Sequence, residues 1–283
     1  MLRARLSTGP ILVAPGVWDA LSALLAERAG FECVFLSGAA LSFTRLARPD
    51  FGLMTASELA DTAARICDRV AVPLFVDADQ GYGNALNLQR TVRMLERAGV
   101  AGVQIEDQVA TKPLGQVRER PLVPIAEMVG RIKAAQDARI SDALLISART
   151  DAPSSQPFAE TLRRCEAYLE AGCDLLFAEG IGSVAEAEEL ATRFGKQVPL
   201  VHNLLEGGPS PYRAASELDV IGYRLALLPG AGVGTMAKAV GDLYAAARRD
   251  GSTASRRGDM LTAGEVATLV GTPELADAAK RYL

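Results

Sequence analysis

Eight short β-rich runs, each followed by apolar residues at helical spacing, recur along the 283 residues, and this alternation limits the fold more than any other feature. The runs lie at 11–14, 33–36, 74–76, 102–105, 144–147, 175–178, 200–201 and 220–227. They are nearly continuously apolar, as strands are when both faces of a parallel sheet are covered by helices. Eight such units in about 230 residues fit a closed (β/α)8 TIM barrel better than an open sheet. Three helical segments end alike, in Arg28-Ala29-Gly30, Arg97-Ala98-Gly99 and Glu170-Ala171-Gly172. A glycine there can take the left-handed C-cap conformation before the chain enters the next strand. No linker or low-complexity tract divides the chain, so the expectation is one barrel domain over 1–283 with a C-terminal helical extension. Residues 250–258 read as a surface connection before those helices.

Composition narrows the function. Hydrophobic residues make up 49 % of the chain, enough for a large core, and the net charge of −4 with no basic tract argues against nucleic acid as a partner. No apolar run approaches the roughly 20 residues needed to cross a membrane, and no signal-peptide core succeeds the basic start Met1-Leu2-Arg3-Ala4-Arg5. The four cysteines, Cys33, Cys67, Cys165 and Cys173, lack CxxC spacing and histidine neighbours. They read as buried thiols of a cytoplasmic protein, with Cys33 and Cys173 in the core.

A barrel of this kind carries its active site at the C-terminal ends of its strands. Six of the runs end in polar or charged residues: Ser37-Gly38, then Asp77 and Asp79, Glu106 and Asp107, Arg149 and Asp151, Glu179, and His202-Asn203. The segment Asp77-Ala78-Asp79-Gln80-Gly81-Tyr82-Gly83 puts two carboxylates before a glycine-rich turn. That arrangement suits a hard divalent cation, Mg²⁺ or Mn²⁺. Capping carboxylates would be the bland reading of Asp77 and Asp79, but acids at neighbouring strand ends favour a metal. Arg149 reads as a contact to a small anionic substrate, with pairing to Glu106 as its alternative. His202, the one histidine, reads as a hydrogen-bonded wall residue. Gly230-Ala231-Gly232-Val233-Gly234 could cradle phosphate in an isomerase-like barrel, or could be a close-packed turn, which is preferred.

Leu36-Ser37-Gly38, Pro49-Asp50, Asp77 to Asn84, Ile105-Glu106-Asp107, Ala148-Arg149-Thr150-Asp151 and Glu179 together resemble the isocitrate lyase and phosphoenolpyruvate mutase superfamily, over about 13–236. The resemblance implies a Mg²⁺-dependent barrel acting on a small 2-oxo acid or its enolate, in a tetramer built from dimers that exchange their last barrel helix; the expectation for the chain is a homodimer or homotetramer. It implies Asp79 as the direct metal ligand, with Asp77 and Glu106 acting mainly through water. The backbone amides of Ser37, Gly38 and Ala39, with Arg149, would hold the substrate carboxylate. Asp50 would reach the reacting centre, and Glu179 and Asn203 would line the far wall; His202, beside Asn203, is counted with the substrate-binding residues on its position alone.

The departures concern reaction type. Isocitrate and methylisocitrate lyases carry a Lys-Cys-Gly-His segment whose cysteine protonates the departing carbanion; here the segment is Lys112-Pro113-Leu114-Gly115-Gln116. Their tyrosine before the Ser-Gly pair is Phe35 here, and an arginine that grips succinate falls at Gly234. Phosphonopyruvate enzymes place lysine and asparagine where Lys112 and Leu114 stand. What remains is chemistry that needs little beyond the metal, above all decarboxylation of an oxaloacetate-type acid. Segment 77–95 resembles the oxaloacetate decarboxylase and carboxyphosphoenolpyruvate mutase-like branches. The alternatives are retro-aldol cleavage of a substituted malate or methylisocitrate-like acid, phosphonopyruvate- or carboxyphosphoenolpyruvate-type chemistry, and non-catalytic binding of a dicarboxylate.

Overall fold

The computed structural model describes residues 2–109 and 121–282. Lys112, Leu114 and the rest of the departing segment lie outside the described residues. Eight parallel strands close in sequence order, β1 (Leu12–Val17), β2 (Val34–Leu36), β3 (Leu74–Asp77), β4 (Gly102–Glu106), β5 (Leu145–Thr150), β6 (Leu175–Ala178), β7 (Leu200–Asn203) and β8 (Leu225–Leu228). Closure comes from β1 on β8, with Leu12 opposite Leu225 and Pro15 opposite Leu228. The expected (β/α)8 barrel is therefore the fold.

The helices are α1 (Leu2–Leu6), α2 (Ala20–Arg28), α3 (Gly38–Leu46), α4 (Ala56–Arg69), α5 (Ala85–Arg97), α6 (Ile125–Ala138), α7 (Phe158–Glu170), α8 (Val184–Phe194), α9 (Ala215–Ile221), α10 (Ala231–Asp250), α11 (Ala263–Leu269) and α12 (Thr272–Ala279). α1 adds Leu2 and Leu6 to the barrel core, beside the first residues of the strands, including Leu12, Leu145, Leu175 and Leu225. The Arg224 guanidinium fixes this end by donating to the Leu6 carbonyl at 2.9 Å and the Gly9 carbonyl at 2.6 Å.

The three repeated helix endings close as expected. Gly30, Gly99 and Gly172 have φ of +90°, +92° and +93°. Each glycine N–H reaches back three residues, and the next residue reaches back five, as in Phe31 to Ala26, Val100 to Leu95 and Cys173 to Tyr168. A fourth ending of this type corrects the eighth expected strand. Val220 and Ile221 finish α9, Gly222 turns at φ +99°, and Tyr223 N–H bonds the Leu218 carbonyl at 3.1 Å. Their β-branched side chains mimic a strand, but the strand itself begins only at Leu225.

The chain divides into two compact units, Met1–Val233 and Gly234–Leu283. Within the second unit, a 3₁₀ turn at Ala254–Asp259 occupies much of the expected surface connection. α11 starts with a capping box in which Thr262 Oγ1 accepts from Glu265 N–H and Glu265 Oε2 accepts from Thr262 N–H. No helix among the described residues is long and apolar enough to cross a membrane.

Candidate active site

Side chains on a strand alternate faces, so a step of two residues keeps the same face. On five strands that step turns the inner surface from floor to site. Phe35 leads to Ser37, Phe75 to Asp77, Ser147 to Arg149, Phe177 to Glu179 and Val201 to Asn203. The floor is closed by Phe35 against Phe75, ring centres 5.7 Å apart. A phenyl ring stands there, as the sequence requires, with no hydroxyl to move a proton.

Asp77, Asp79 and Glu106 come together with one carboxylate oxygen each, all within 4.8 Å of one another. The turn after β3 makes this possible. Asp79 adopts φ +48° and Tyr82 φ +62°, unusual for residues with side chains. Gly81, at φ +93°, is needed because a Cβ would come within 2.6 Å of Leu88 Cδ1. β4 pins the turn: Glu106 N–H donates to the Asp79 carbonyl at 2.8 Å and Ala78 N–H to the Gln104 carbonyl at 2.9 Å. Burial pushes the Glu106 carboxyl well above its ordinary range; Arg149 opposes this, while Asp151, Asp79 and Asp77 add to it. Glu106 Oε1 is buried with no hydrogen-bond partner among the described residues. An orphaned buried oxygen in a set of oxygen donors fits Mg²⁺ or Mn²⁺.

α3 begins beside these acids. A Cβ on Gly38 would sit 3.5 Å from Asp77 Oδ2 and 3.9 Å from Asp79 Oδ1. Ser37 is the N-cap, its Oγ accepting from Ala40 N–H at 3.3 Å. Ser37 N–H donates to the Val17 carbonyl at 3.3 Å, and the amides of Gly38 and Ala39 follow it in the first turn of this helix.

Arg149 pairs as its alternative reading required, and further. Its Nε lies 3.4 Å from Glu106 Oε2, and its guanidinium spans Asp151 with contacts of 2.9 and 3.3 Å. The Phe177 ring packs below it, 5.4 Å from ring centre to guanidinium carbon. Burial works against its charge, but Asp151, Glu179 and Glu106 outweigh it and hold Arg149 firmly protonated. Across the barrel Asn203 Nδ2 donates to Glu179 Oε2 at 2.8 Å. Asp50 lies in the loop between α3 and α4, in a three-residue turn closed by Phe51 N–H on the Pro49 carbonyl. The base of that loop is fastened by Ser42 Oγ to the carbonyls of Arg48 and Pro49.

His202 is a wall residue. Its Nε2 is 2.7 Å from Ser210 Oγ, and its ring meets Tyr223 and Tyr212 edge-on at 5.5 and 6.1 Å. Burial lowers its pKa to about 4, so the imidazole is neutral at physiological pH. It still borders a small cavity shared with Glu179, Asn203 and Ile181. The Gly230–Gly234 stretch is close-packed where it enters α10: a Cβ on Gly232 would lie 3.0 Å from the Trp18 ring.

Residues with no assigned role in the sequence also converge here. Tyr82 bonds Asp79, and burial together with Asp79, Asp77 and Asp50 pushes its hydroxyl pKa well up. Gln104, fully buried, approaches Asp77 Oδ1 at 3.4 Å. Its place two residues before Glu106 on the same strand face was the available signal.

The profile of the phosphoenolpyruvate phosphomutase family matches residues 2–246. A 2,3-dimethylmalate lyase of Eubacterium barkeri is 39 % identical over 283 residues, covering 99 % of this chain and 96 % of that one. A 2-methylisocitrate lyase of Aeropyrum pernix is 45 % identical over 229 residues, 81 % of this chain and 73 % of its own. Among solved structures, a phosphonopyruvate hydrolase in complex with oxalate and Mg²⁺ superposes with a TM-score of 0.89 at 29 % identity, covering 99 % of this chain and 97 % of that one. Barrel, strand-end acids and whole-length similarity agree, and the chain belongs to the phosphoenolpyruvate phosphomutase family within the isocitrate lyase superfamily.

Proposed function

We propose that this enzyme breaks a carbon–carbon bond of a small 2-oxo dicarboxylic acid, with oxaloacetate-type decarboxylation, cleavage of the C3–C4 bond, as the main reaction. One observation carries the reading: a carboxylate triad faces Arg149 while the chain offers no thiol or mobile imidazole to serve it. All four cysteines are placed elsewhere, with Cys33 in the barrel core, Cys67 on α4, Cys165 on α7 and Cys173 just after α7. Burial pushes the Cys33 and Cys165 thiols up to about 12. The one imidazole is tied to Ser210.

Asp77, Asp79 and Glu106 would hold the cation, which when bound supplies Lewis-acid polarisation of the 2-oxo group. Arg149 and the Gly38 and Ala39 amides grip the adjacent carboxylate and orient the acid. The bond to the distal carboxylate then breaks, its electron pair moves toward the 2-oxo oxygen, CO₂ leaves, and C3 takes a proton from water. No side-chain acid is required. Phe35 and Phe75 close the floor against water.

The 39 % identity to a 2,3-dimethylmalate lyase over the whole chain favours a second reading. In it the C2–C3 bond of an alkylated malate breaks, giving a 2-oxo acid and a small monocarboxylate.

The test is NMR identification of products from oxaloacetate, 2,3-dimethylmalate, methylisocitrate and phosphonopyruvate, with Mg²⁺ and with EDTA. Pyruvate from oxaloacetate with Mg²⁺ alone is the expected result. Turnover of 2,3-dimethylmalate with oxaloacetate untouched would move the function to the second reading. Cleavage of methylisocitrate at an ordinary enzymatic rate of about 1–1000 per second would overturn both.

A further inference from the structure

Asp151 stands behind Arg149 and is itself completely buried, as is Asp107. Its Oδ1 accepts Arg149 Nη2 at 2.9 Å, and its Oδ2 accepts Arg149 Nε at 3.3 Å. The same Oδ2 accepts Gln108 Nε2 at 2.8 Å. The Asp151 backbone N–H donates to Asp107 Oδ1 at 3.0 Å, which holds this residue at φ −95°, ψ 12°, between strand and helix geometry. Asp151 is therefore gripped twice, by its carboxylate and by its backbone.

Both grips are anchored in the outer helices. Asp107 Oδ2 accepts Tyr168 OH at 2.8 Å and Arg164 Nη1 at 2.9 Å, both from α7. From α6, Arg131 Nη1 donates at 3.0 Å to the carbonyls of both Glu106 and Gln108, fastening the turn that carries Gln108. Strand alternation sends Glu106 into the barrel and Asp107 out of it, so Asp107 makes no contact with a ligand in the barrel mouth.

We propose that Gln108 and Asp107 are positioning residues for Arg149, acting through Asp151 from two sides. Arg149 has five N–H donors in a rigid fork. Asp151 takes those on one edge, so its orientation fixes where the remaining donors point. A buried arginine that must meet a carboxylate in one plane benefits from a counter-ion that cannot rotate. The inference rests on Arg149 being the carboxylate grip of the proposed reaction.

The test uses the full-length, Mg²⁺-loaded protein, with oxalate as the probe. Gln108→Met keeps the side-chain length and removes one charge-assisted hydrogen bond. It is expected to weaken oxalate about tenfold in calorimetry and to raise KM by a similar factor, with kcat changed less than about threefold. Tyr168→Phe, which loosens the backbone grip, is expected to do the same more weakly. Gln108→Asn and Gln108→Glu, too short and wrongly charged, should not rescue. Unchanged oxalate affinity and KM in Gln108→Met, with only the melting temperature lowered, would mean a purely structural role and overturn the proposal.

A second readout needs no ligand. The Arg149 Nε–H resonance, assigned by its loss in Arg149→Lys, should exchange with solvent faster in Gln108→Met and Tyr168→Phe. Equal exchange in the variants and wild type would overturn the positioning proposal. Faster exchange in a protein that neither binds oxalate nor acts on 2-oxo acids would uphold the positioning and overturn the proposed reaction.

Discussion

Three acids within 4.8 Å of one another repel where no cation lies between them, and Asp79→Asn should expose the effect. At that separation two like charges repel by about 3.5 kcal/mol at an effective dielectric of about 20. Burial raises the Glu106 carboxyl well above the ordinary 4.5, so this acid gives up its charge more readily than a free carboxylate would. The Asp77–Asp79 repulsion remains. Replacing Asp79 removes it but weakens the bond to Tyr82, so the cation-free variant should gain about 1–2 kcal/mol. That is a melting temperature higher by about 2–8 °C. In wild type, Mg²⁺ at a hundred times its Kd should add about 2.7 kcal/mol, and in the variant almost nothing. Turnover should vanish in the variant despite the better fold. The pH dependence has a definite sign. Folded Glu106 keeps its proton where the unfolded chain has lost it, so cation-free stability falls as pH rises from 4.5 through the raised folded value. Glu106→Gln should remove that slope. Thermal melts with and without Mg²⁺, from pH 5 to 8, measure all of this. A cation-free Asp79→Asn that melts below wild type, or that keeps the full Mg²⁺ shift, would refute the reasoning.

Oxalate, which mimics a planar enolate of pyruvate, should inhibit more strongly than pyruvate and only with Mg²⁺ present; equal inhibition by the two would count against the site as described. Because burial lowers His202 to about 4, no imidazole inflection should appear in the kcat profile between pH 5 and 8. The same neutral burial costs stability as pH falls from 6.5 toward 4, and His202→Phe should lessen that loss in acid melts. Gly222→Ala should cost about 1 kcal/mol, since only its φ of +99° opposes a side chain, whereas Gly81→Ala should cost more because its Cβ also meets Leu88. Sedimentation should show a homodimer or larger, since α11 and α12 bury none of their residues within the chain while Val266 and Leu275 stand exposed.

The barrel was legible because parallel strands covered on both faces must be apolar throughout, and each of the eight runs overlaps a strand of the structure, the eighth only from Leu225 onward. The boundaries were less so. β1 continues past Ala14 through Pro15 and Gly16 to Val17, where Pro-Gly ordinarily announces a turn. Gly16 is required there because a side chain would collide with the Pro229 carbonyl, a contact between chain-distant residues that no local pattern encodes. Val220 and Ile221 misled in the opposite direction, since β-branched residues in the last turn of a helix look like a strand until Gly222 is seen as its stop.

The ring of site residues was legible for a deeper reason than composition. A strand that enters the mouth of a barrel keeps its inward face at every second residue, so the polar residue that replaces the apolar floor announces the site. What stays hidden is whatever acts from the outward face. Asp107 comes directly after Glu106 and reads as a second member of an acidic pair, yet alternation turns it toward α7, where Arg164 and Tyr168 satisfy it. Gln108 carries no charge to draw notice, and its partner Asp151 lies 43 positions away. In the proposed reaction the inner ring would meet the substrate, and the outer ring would aim it. One strand writes both into consecutive residues, so two neighbours as alike as Glu106 and Asp107 take unlike parts.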